Sequence, residues 1–336
     1  MHALPATADP EVLRQRLARI ESLGATNPEQ ITNLRRLSGG ASKETWSLDV
    51  DNPSREQHLI LRRTAAAVRP EDPAIAIESE AELIRLAAAA GVPVPQVHYV
   101  LEPADELGRG YIMNRVEGET LARRIIRDSK YADARRCFAR QAGAILARIH
   151  AIDVSHMQLA QTTAREELDL LRARYERIRQ PRPVFAFALR WLLDNLPSSS
   201  GPPRLVHGDF RNGNFIFGPD SVRAVLDWEL AHRGDPMDDL AWLCINSWRF
   251  GAIDKPVGGI GEREDLYSAY EEASGIVIDR PAVNFWEVLG TLRWGTFCAA
   301  MIEWIHGGDT SVERAMIARR ASETEIDLMR LLLPRN

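Results

Sequence analysis

Residues 204–229 read RLVHGDFRNGNFIFGPDSVRAVLDWE, and this stretch decides the fold. Within it, HGDFRNGN spans residues 207–214, and Asp227 follows at the end of the next apolar run. The pattern predicts two short strands, with polar loops next to them that hold Asp209, Asn214 and Asp227. Carboxylate and amide oxygens are therefore concentrated at loop and strand ends.

These three residues suit phosphoryl transfer. The reaction needs a carboxylate that orients the attacking hydroxyl and accepts its proton, and it needs oxygen ligands for magnesium. Asp209 can be the base, and Asn214 and Asp227 can bind the metal. The spacing equals that of the H-R-D-x4-N catalytic loop of protein kinases. From average residue frequencies, a chance match to H-G-D-x4-N in a chain of this length has a probability on the order of 10⁻³.

The chain resembles the aminoglycoside phosphotransferase and choline kinase-like family, whose signature is HGD-x4-N followed by an IDWE-like strand. The resemblance covers nearly the whole chain, and it is closest to the phosphotransferase-like domains related to acyl-CoA dehydrogenase fusions. It implies that Asp209 is the catalytic base and that Asn214 and Asp227 bind Mg²⁺. DPMDDL (235–240) matches the family's GDP-x-x-DLA element, so Asp239 would brace the catalytic loop at a helix N-terminus. His207 is interpreted as a structural hydrogen-bonder of that loop rather than as a base or metal ligand.

Strand patterns dominate the first part of the chain. Residues 34–50 and 58–64 indicate strands around a glycine-bearing turn, and residues 97–102 and 111–119 indicate strands four and five of a small sheet. A strong helix pattern covers 74–91, and an N-terminal helix is expected over 11–24.

Helical periodicity dominates after residue 119. We expect helices over 133–151, 164–178, 184–196, 237–250, 262–274, 281–305 and 309–332. Together with the resemblance, this order predicts an α+β, two-lobed protein-kinase-like fold. A small antiparallel sheet with one main helix would form the nucleotide-binding lobe (1–115), and a larger, mostly helical lobe (116–336) would carry the catalytic loop and the acceptor site.

The first lobe offers candidate ATP-binding residues. Backbone amides of the turn Ser38, Gly39, Gly40, Ala41 and Ser42 could cover phosphates, although this turn departs from the kinase G-x-G-x-x-G pattern. We also expect the nucleotide site to contain a cation on the next strand that is paired with a glutamate of the helix. Arg62 and Glu80 are the preferred pair, with arginine in place of the kinase lysine. Arg63 remains an alternative cation, and Glu78 and Glu82 remain alternative carboxylates.

By resemblance, Met113, Asn114 and Arg115 align with the segment that links the lobes. Backbone groups of this segment would bind the adenine edge. These residues complete the predicted nucleotide site.

Composition excludes several classes of protein. The chain has 336 residues, with 42 basic and 47 acidic side chains and a formal net charge of −5. Because the charges alternate in sign along helical stretches, we expect no nucleic-acid partner. Cys137, Cys244 and Cys298 are far apart, which argues against disulfides and metal-binding Cys pairs. No membrane span or secretory signal is recognisable, so a cytoplasmic location is expected.

The sequence therefore predicts an ATP- and Mg²⁺-dependent small-molecule kinase with a hydroxyl acceptor. The segment 251–270 and later stretches resemble domains whose implied substrates are hydroxyacyl thioesters, which are favoured over aminoglycosides. An aminoglycoside would need an acidic pocket, for which the candidates are Glu262, Glu264, Asp265, Glu271, Glu272 and Glu303. A non-catalytic nucleotide-binding pseudokinase is the alternative. A protein kinase is disfavoured because the APE signature and a long activation loop are missing.

Overall fold

The structure, a computed structural model, describes residues 9–37, 43–52, 55–64, 74–178, 180–198 and 201–333. The chain divides into two compact units. The first comprises Met1–Gly118 and Arg223–Leu230, and the second comprises Glu119–Val222 and Ala231–Asn336. The segment that carries Asp227 therefore belongs to the first unit, whereas the sequence analysis places it in the second lobe.

The first unit contains an antiparallel sheet. In the described part of the chain its strand order is β1-β2-β3-β5-β4, and each neighbouring pair is antiparallel. The strands and helices of this unit are β1 (Ile31–Arg36), β2 (Glu44–Asn52), β3 (Arg55–Thr64), β4 (Val97–Val100), β5 (Arg109–Asn114), β8 (Val222–Val225, shared with the second unit), α1 (Pro10–Leu17) and α2 (Ile77–Ala89).

Alternation along the strands builds the core of this unit. Trp46, Leu48 and Val50 of β2 are buried together with Leu59 and Leu61 of β3. These residues share one face because successive strand side chains point to opposite sides of a sheet. On the same strand, Arg62 falls on the other face, which becomes important for the candidate site.

The second unit is mostly helical. Its helices are α3 (Ala122–Arg127), α4 (Ala132–His150), α5 (Ala164–Ile178), α6 (Pro183–Asp194), α7 (Met237–Cys244), α8 (Arg263–Ser274), α9 (Arg280–His306), α10 (Val312–Ala318) and α11 (Ala321–Leu332). Its short strands are β6 (Arg204–Val206), β7 (Phe215–Phe217) and β9 (His232–Gly234). The long helix α9 has apolar residues on all sides because it packs against α5, α6, α7, α10 and α11.

The α+β class, the small antiparallel sheet with one main helix and the mostly helical remainder are confirmed. Several element bounds were wrong. The helix expected over 11–24 ends at Leu17, and a 3₁₀ turn at Glu21–Leu23 continues the same buried face, which explains the unbroken apolar spacing. The helix expected over 237–250 ends at Cys244, where Ile245 takes an extended conformation.

Two further differences concern short elements. The helix expected over 309–332 is two helices, α10 and α11, separated by Arg319 and Arg320. Residues 204–229 contain three short strands rather than two, and the six-residue helix α3 was not predicted. Elements of three to six residues carry too few periodic positions for a pattern to reveal them.

Within the described residues, no helix is long and apolar enough to cross a membrane. The longest helix, α9, packs against helical neighbours over much of its length.

Candidate active site

The loop that carries Asp209 connects β6 with β7, and the first turn of α7 holds it in place. The backbone N–H groups of His207 and Gly208 donate hydrogen bonds to the carboxylate of Asp239, at 2.7 and 3.0 Å. Asp239 therefore lies where the sequence analysis expected it, bracing the loop from a helix N-terminus.

Asp239 is completely buried and is the centre of a polar network. Its Oδ2 atom lies 3.1 Å from His150 Nε2, and His150 Nδ1 lies 2.9 Å from the hydroxyl of Tyr270. Burial acts to raise the pKa of Asp239, but hydrogen bonding and charge from His150 and His207 outweigh it, so the pKa is lowered. The brace is thus an ionised carboxylate that binds His150, His207 and Gly208 of the second unit.

His207 supports the loop from within. The N–H of Asp209 donates to Nδ1 of His207 at 3.2 Å, and the imidazole is fully buried. His207 thus makes a hydrogen bond within the loop, as its predicted structural role requires.

The carboxylate of Asp209 accepts three side-chain hydrogen bonds. Arg211 Nε and Trp242 Nε1 both donate to Oδ1 at 2.8 Å, and Asn214 Nδ2 donates to Oδ2 at 2.6 Å. These donors fix the plane of the carboxylate, as a positioned general base requires.

Asn214 closes the loop over its five-residue span. Its side-chain nitrogen also donates to the backbone oxygen of Asp209 at 3.0 Å, which turns the amide oxygen away from Asp209. The tight turn needs the left-handed backbone of Gly208 and Gly213, with φ of 82° and 118°. A Cβ atom at Gly213 would lie 2.7 Å from the Arg211 guanidinium, so this glycine also makes room for the side chain that binds Asp209.

In the first unit, Arg62 and Glu80 form the ion pair that the sequence predicted. Arg62 Nε lies 3.2 Å from Oε1 of the fully buried Glu80, and Tyr111 donates a hydrogen bond to the same oxygen at 3.1 Å. Burial acts to lower the pKa of Arg62, but the charges around it, Glu80 first, raise it. Burial and the charge of Glu80 likewise raise the pKa of Tyr111 well above its usual value.

The alternative residues lie elsewhere. Arg63 is on the opposite face of β3, where its guanidinium pairs with Glu44 at 2.9 Å. Glu78 pairs with Arg109, and Glu82 is exposed. The register that placed Arg62 with Glu80 is therefore the observed one.

Asp227 follows β8 in a strained conformation. Its φ is +67°, a value that non-glycine residues rarely adopt and that is enriched at functional sites. Arg62 Nη2 lies 2.7 Å from Asp227 and 3.3 Å from Glu229. Burial and the charge of Asp227 raise the pKa of Glu229, against the attraction of Lys43 and Arg62.

Lys43 is a member of this cluster that the sequence analysis missed. Its ammonium nitrogen lies 2.6 Å from Glu80 and 3.1 Å from Glu229. Thr45 pairs with Arg62 across the ladder, so Lys43, two residues before Thr45, shares the face of Arg62. The pairing register of the two strands was the signal that could have revealed it.

An aromatic cluster beside Asp209 was also missed. Trp242, which donates to Asp209, lies 5.3 Å from Trp248, and Trp248 lies 4.9 Å from Trp294, measured between ring centroids. The guanidinium of Arg211 lies over the Trp248 ring at 4.4 Å. These residues lie on α7, in the turn after it and on α9. They are too far apart in the sequence to form a local pattern.

Met113, Asn114 and Arg115 lie at the end of β5. The backbone N–H groups of Asn114 and Arg115 donate within the first unit, to the carbonyl oxygens of Gln96 and His58. Their role in binding adenine stays a prediction. The predicted phosphate-covering turn, Ser38, Gly39, Gly40, Ala41 and Ser42, lies outside the described residues.

The oxygen donors suit magnesium in kind. Asn214 offers an amide oxygen and Asp227 a carboxylate that is 30% exposed. In the described ranges, no group of three or more His, Cys, Asp or Glu side chains could hold a metal ion. The two oxygen donors of Asn214 and Asp227 fit Mg²⁺, because proteins usually bind this ion through one or two carboxylates and substrate phosphates rather than through an all-protein cage.

Comparison with known proteins finds relatives that are named as acyl-CoA dehydrogenase family members. The chain is 27% identical over 292 residues to acyl-CoA dehydrogenase family member 11 of Gallus gallus, covering 79% of this chain but only 36% of that protein. The chain thus spans about a third of the length of that curated relative.

Solved structures share the fold. A putative aminoglycoside phosphotransferase from Ralstonia eutropha matches with a TM-score of 0.68 at 22% identity, covering 93% of this chain and 97% of the other. Aminoglycoside phosphotransferase APH(4)-Ia, solved with AMP-PNP and hygromycin B, matches with a TM-score of 0.61 at 18% identity, covering 96% and 99%. Choline kinase from Cryptosporidium parvum matches with a TM-score of 0.58 at 13% identity, covering 91% and 90%.

These likenesses confirm the predicted kinase-like fold. The profile of the family described as "Phosphotransferase enzyme family" matches residues 33–276, which include Arg62, Glu80, the Asp209 loop and Asp239. The chain belongs to this phosphotransferase family.

Proposed function

We propose that the protein transfers the γ-phosphoryl group of ATP, with Mg²⁺, to a hydroxyl group of a small molecule. The observation that carries the proposal is the fixed carboxylate of Asp209. Three donors hold it in the HGD-x4-N loop, and Asp239 braces the backbone of that loop. Family membership supports the same reaction class.

Asp209 would accept the proton of the acceptor. The hydroxyl oxygen forms a bond to the γ-phosphorus, the bond from that phosphorus to the bridging oxygen of ADP breaks, and the proton passes to Asp209. A carboxylate has about four acceptor sites, so three donors leave one for the hydroxyl. Because the carboxylate plane is fixed, the hydroxyl is oriented before the reaction begins.

Asn214 and Asp227 would hold the metal through their oxygen atoms. When bound, Mg²⁺ neutralises charge on the phosphate oxygens. Arg62, held by Glu80, would contribute a further positive charge to the nucleotide.

The aromatic cluster supports an acceptor with an apolar part. The ring of Phe297 stacks on that of Trp294, with the ring centroids 5.3 Å apart. Trp304 lies further along α9. Phe297 and Trp304 are 47% and 53% exposed, and ten residues of helix from Trp294 to Trp304 extend about 15 Å. Exposed aromatic side chains thus continue along α9 from the aromatic cluster that contacts Asp209, and the guanidinium of Arg314 lies 4.6 Å from the Trp304 ring.

Two indole groups of the cluster also offer hydrogen bonds. In the described part of the chain, Nε1 of Trp248 and Nε1 of Trp294 are buried with no hydrogen-bond partner. Buried indole N–H groups usually have one. A carbonyl oxygen of the acceptor would satisfy such a donor.

Four of the six acidic residues considered for an aminoglycoside pocket have other partners. Glu262 pairs with Lys255, Glu264 with Arg280 and Glu272 with Arg140. Glu271 accepts a hydrogen bond from the N–H of Ile278. Such contacts are typical of solvated charges on helix surfaces, so these residues give no support to a polycationic acceptor.

A hydroxyacyl thioester fits these observations better than an aminoglycoside does. It has a hydroxyl group, a carbonyl and an apolar chain, and the relative from Gallus gallus is named as an acyl-CoA dehydrogenase family member. The acceptor class and a cytoplasmic location stay predictions.

The test is ADP formation by the full chain with Mg²⁺ and ATP in the presence of three acceptor types. We expect hydroxyacyl-CoA thioesters to stimulate ADP formation and to gain a phosphoryl group, and we expect choline and kanamycin to have no effect. ATP binding without phosphorylation of any hydroxy compound would instead support the pseudokinase alternative. Phosphorylation of kanamycin alone would contradict the acceptor class.

A further inference from the structure

We propose that Lys43 is a second phosphate-binding cation of the nucleotide site, sharing the carboxylate of Glu80 with Arg62. The inference rests on the proposed function and assigns a further residue to it. Its ligand is the polyphosphate chain of a nucleoside triphosphate.

Glu80 binds more cations than its own charge requires. Lys43 Nζ lies 2.6 Å from Oε2, and Arg62 Nε lies 3.2 Å from Oε1. Tyr111 adds a hydrogen bond to Oε1. A single buried carboxylate is neutralised by one cation, so the second positive charge needs another partner.

The other partners of the two cations lie toward solvent. The side chain of Glu80 is 0% exposed, whereas those of Asp227 and Glu229 are 30% and 28% exposed. The side chains of Lys43 and Arg62 are 9% and 18% exposed, so the two cations lie between the buried Glu80 and the partly exposed carboxylates. A polyphosphate with several negative charges can replace these partly exposed carboxylates as the partner of two adjacent cations.

Lys43 also retains hydrogen-bonding capacity. An ammonium group has three N–H donors, and Glu80 and Glu229 account for two. The third can reach a phosphate oxygen while Glu80 keeps the ammonium in place. Because Glu229 is partly exposed, a phosphate can also replace it as the second partner.

The experiment compares AMP-PNP and adenosine binding by calorimetry in the parent and in Lys43→Met. Loss of a charge-assisted contact predicts AMP-PNP affinity lower by about tenfold or more, with adenosine affinity changed by less than about twofold. Lys43→Arg should restore most of the AMP-PNP affinity. Lys130→Met, an equivalent change at an exposed lysine of the second unit, should alter neither affinity.

A purely structural Lys43 would give a different pattern. If folded Lys43→Met binds AMP-PNP within about twofold of the parent, or loses adenosine affinity equally, the proposal is wrong. Should Lys43→Met fail to fold, Lys43→Gln, which can still donate to Glu80, is judged by the same two affinities. A parent protein that binds no AMP-PNP would overturn the proposed function itself, before any variant is compared.

Discussion

Adjacent arginines on β3 have different surroundings, which separates a proposed nucleotide contact from a structural one. Arg62 reaches Glu80, Asp227 and Glu229, whereas Arg63 is 5% exposed and pairs with Glu44. The two side chains differ only in the face of the strand that carries them.

We therefore expect Arg62→Ala to raise the Michaelis constant for ATP about tenfold, with less effect on that for the acceptor. Arg63→Ala should leave the Michaelis constant for ATP near the parental value. It should instead lower the free energy of unfolding by about 3 kcal/mol, because Glu44 loses a buried partner. Steady-state kinetics and urea unfolding of both variants check this. An ATP defect in Arg63→Ala with none in Arg62→Ala would mean that the assignment is reversed.

Residue spacing singled out Asp209 and Asn214 as candidates because both lie in one short loop, and the family resemblance added Asp239. Lys43 was not found, since only the register of β2 against β3 places it beside Arg62. Trp242 was missed for a similar reason. Its contact with Asp209 spans 33 residues and depends on how α7 lies against the loop.

Among the elements, α7 carries the strongest constraint on the catalytic loop. Two loop N–H groups and His150 all depend on the ionised carboxylate of Asp239. The folded-state pKa of Asp239 is lowered, whereas an unfolded Asp has a pKa of about 3.9. Its contribution to stability is therefore fully present above the unfolded value and is lost as the pH falls through the folded value.

Asp239→Asn should lower the free energy of unfolding by about 3 kcal/mol at pH 7. The difference from the parent should stay constant down to about pH 5 and shrink below about pH 4. Urea unfolding across this range measures it. Asp194→Asn, which removes an exposed carboxylate paired with Arg190, is the control and should change stability little. A difference that grows below pH 4 would contradict an ionised, stabilising Asp239.

Helix bounds were harder to predict than helix positions. The apolar spacing that continues to Leu23 reflects a 3₁₀ turn that buries the same face as α1. At the other end of the chain, the single helical pattern over 309–332 hides a break at Arg319 and Arg320. The first case preserves the spacing of buried residues while the backbone changes, which a periodic pattern does not detect. In the second case α10 has no buried residue, so its apolar spacing does not mark the break.

At the scale of the whole molecule, Asp227 belongs to the first unit, whereas a single lobe boundary at residue 115 would place it in the second. The segment 223–230 joins the first unit through Val225 N to Pro93 O, at 2.8 Å, and Ile75 N to Glu229 O, at 2.9 Å. The first unit therefore holds both proposed phosphate-binding cations and one proposed metal ligand. The second unit holds the proposed base and the other proposed metal ligand.

This distribution means that nucleotide contacts and proton transfer can be damaged separately. Asp209→Asn keeps the size of the side chain and one oxygen that can accept from Arg211 and Trp242. It gives up the hydrogen bond that Asn214 donates to the second oxygen, and it removes the group that accepts the proton. Nucleotide binding through Arg62 and Asp227 should therefore survive while the chemical step fails.

The decisive measurement is transfer of the labelled γ-phosphoryl group from ATP to a hydroxyacyl-CoA thioester in a single turnover, for the parent and for Asp209→Asn. We expect the parent to form the phosphorylated acceptor. We expect the variant to be slower by about 10²-fold or more, with AMP-PNP affinity within about twofold of the parent. Transfer by Asp209→Asn at the parental rate would contradict the account.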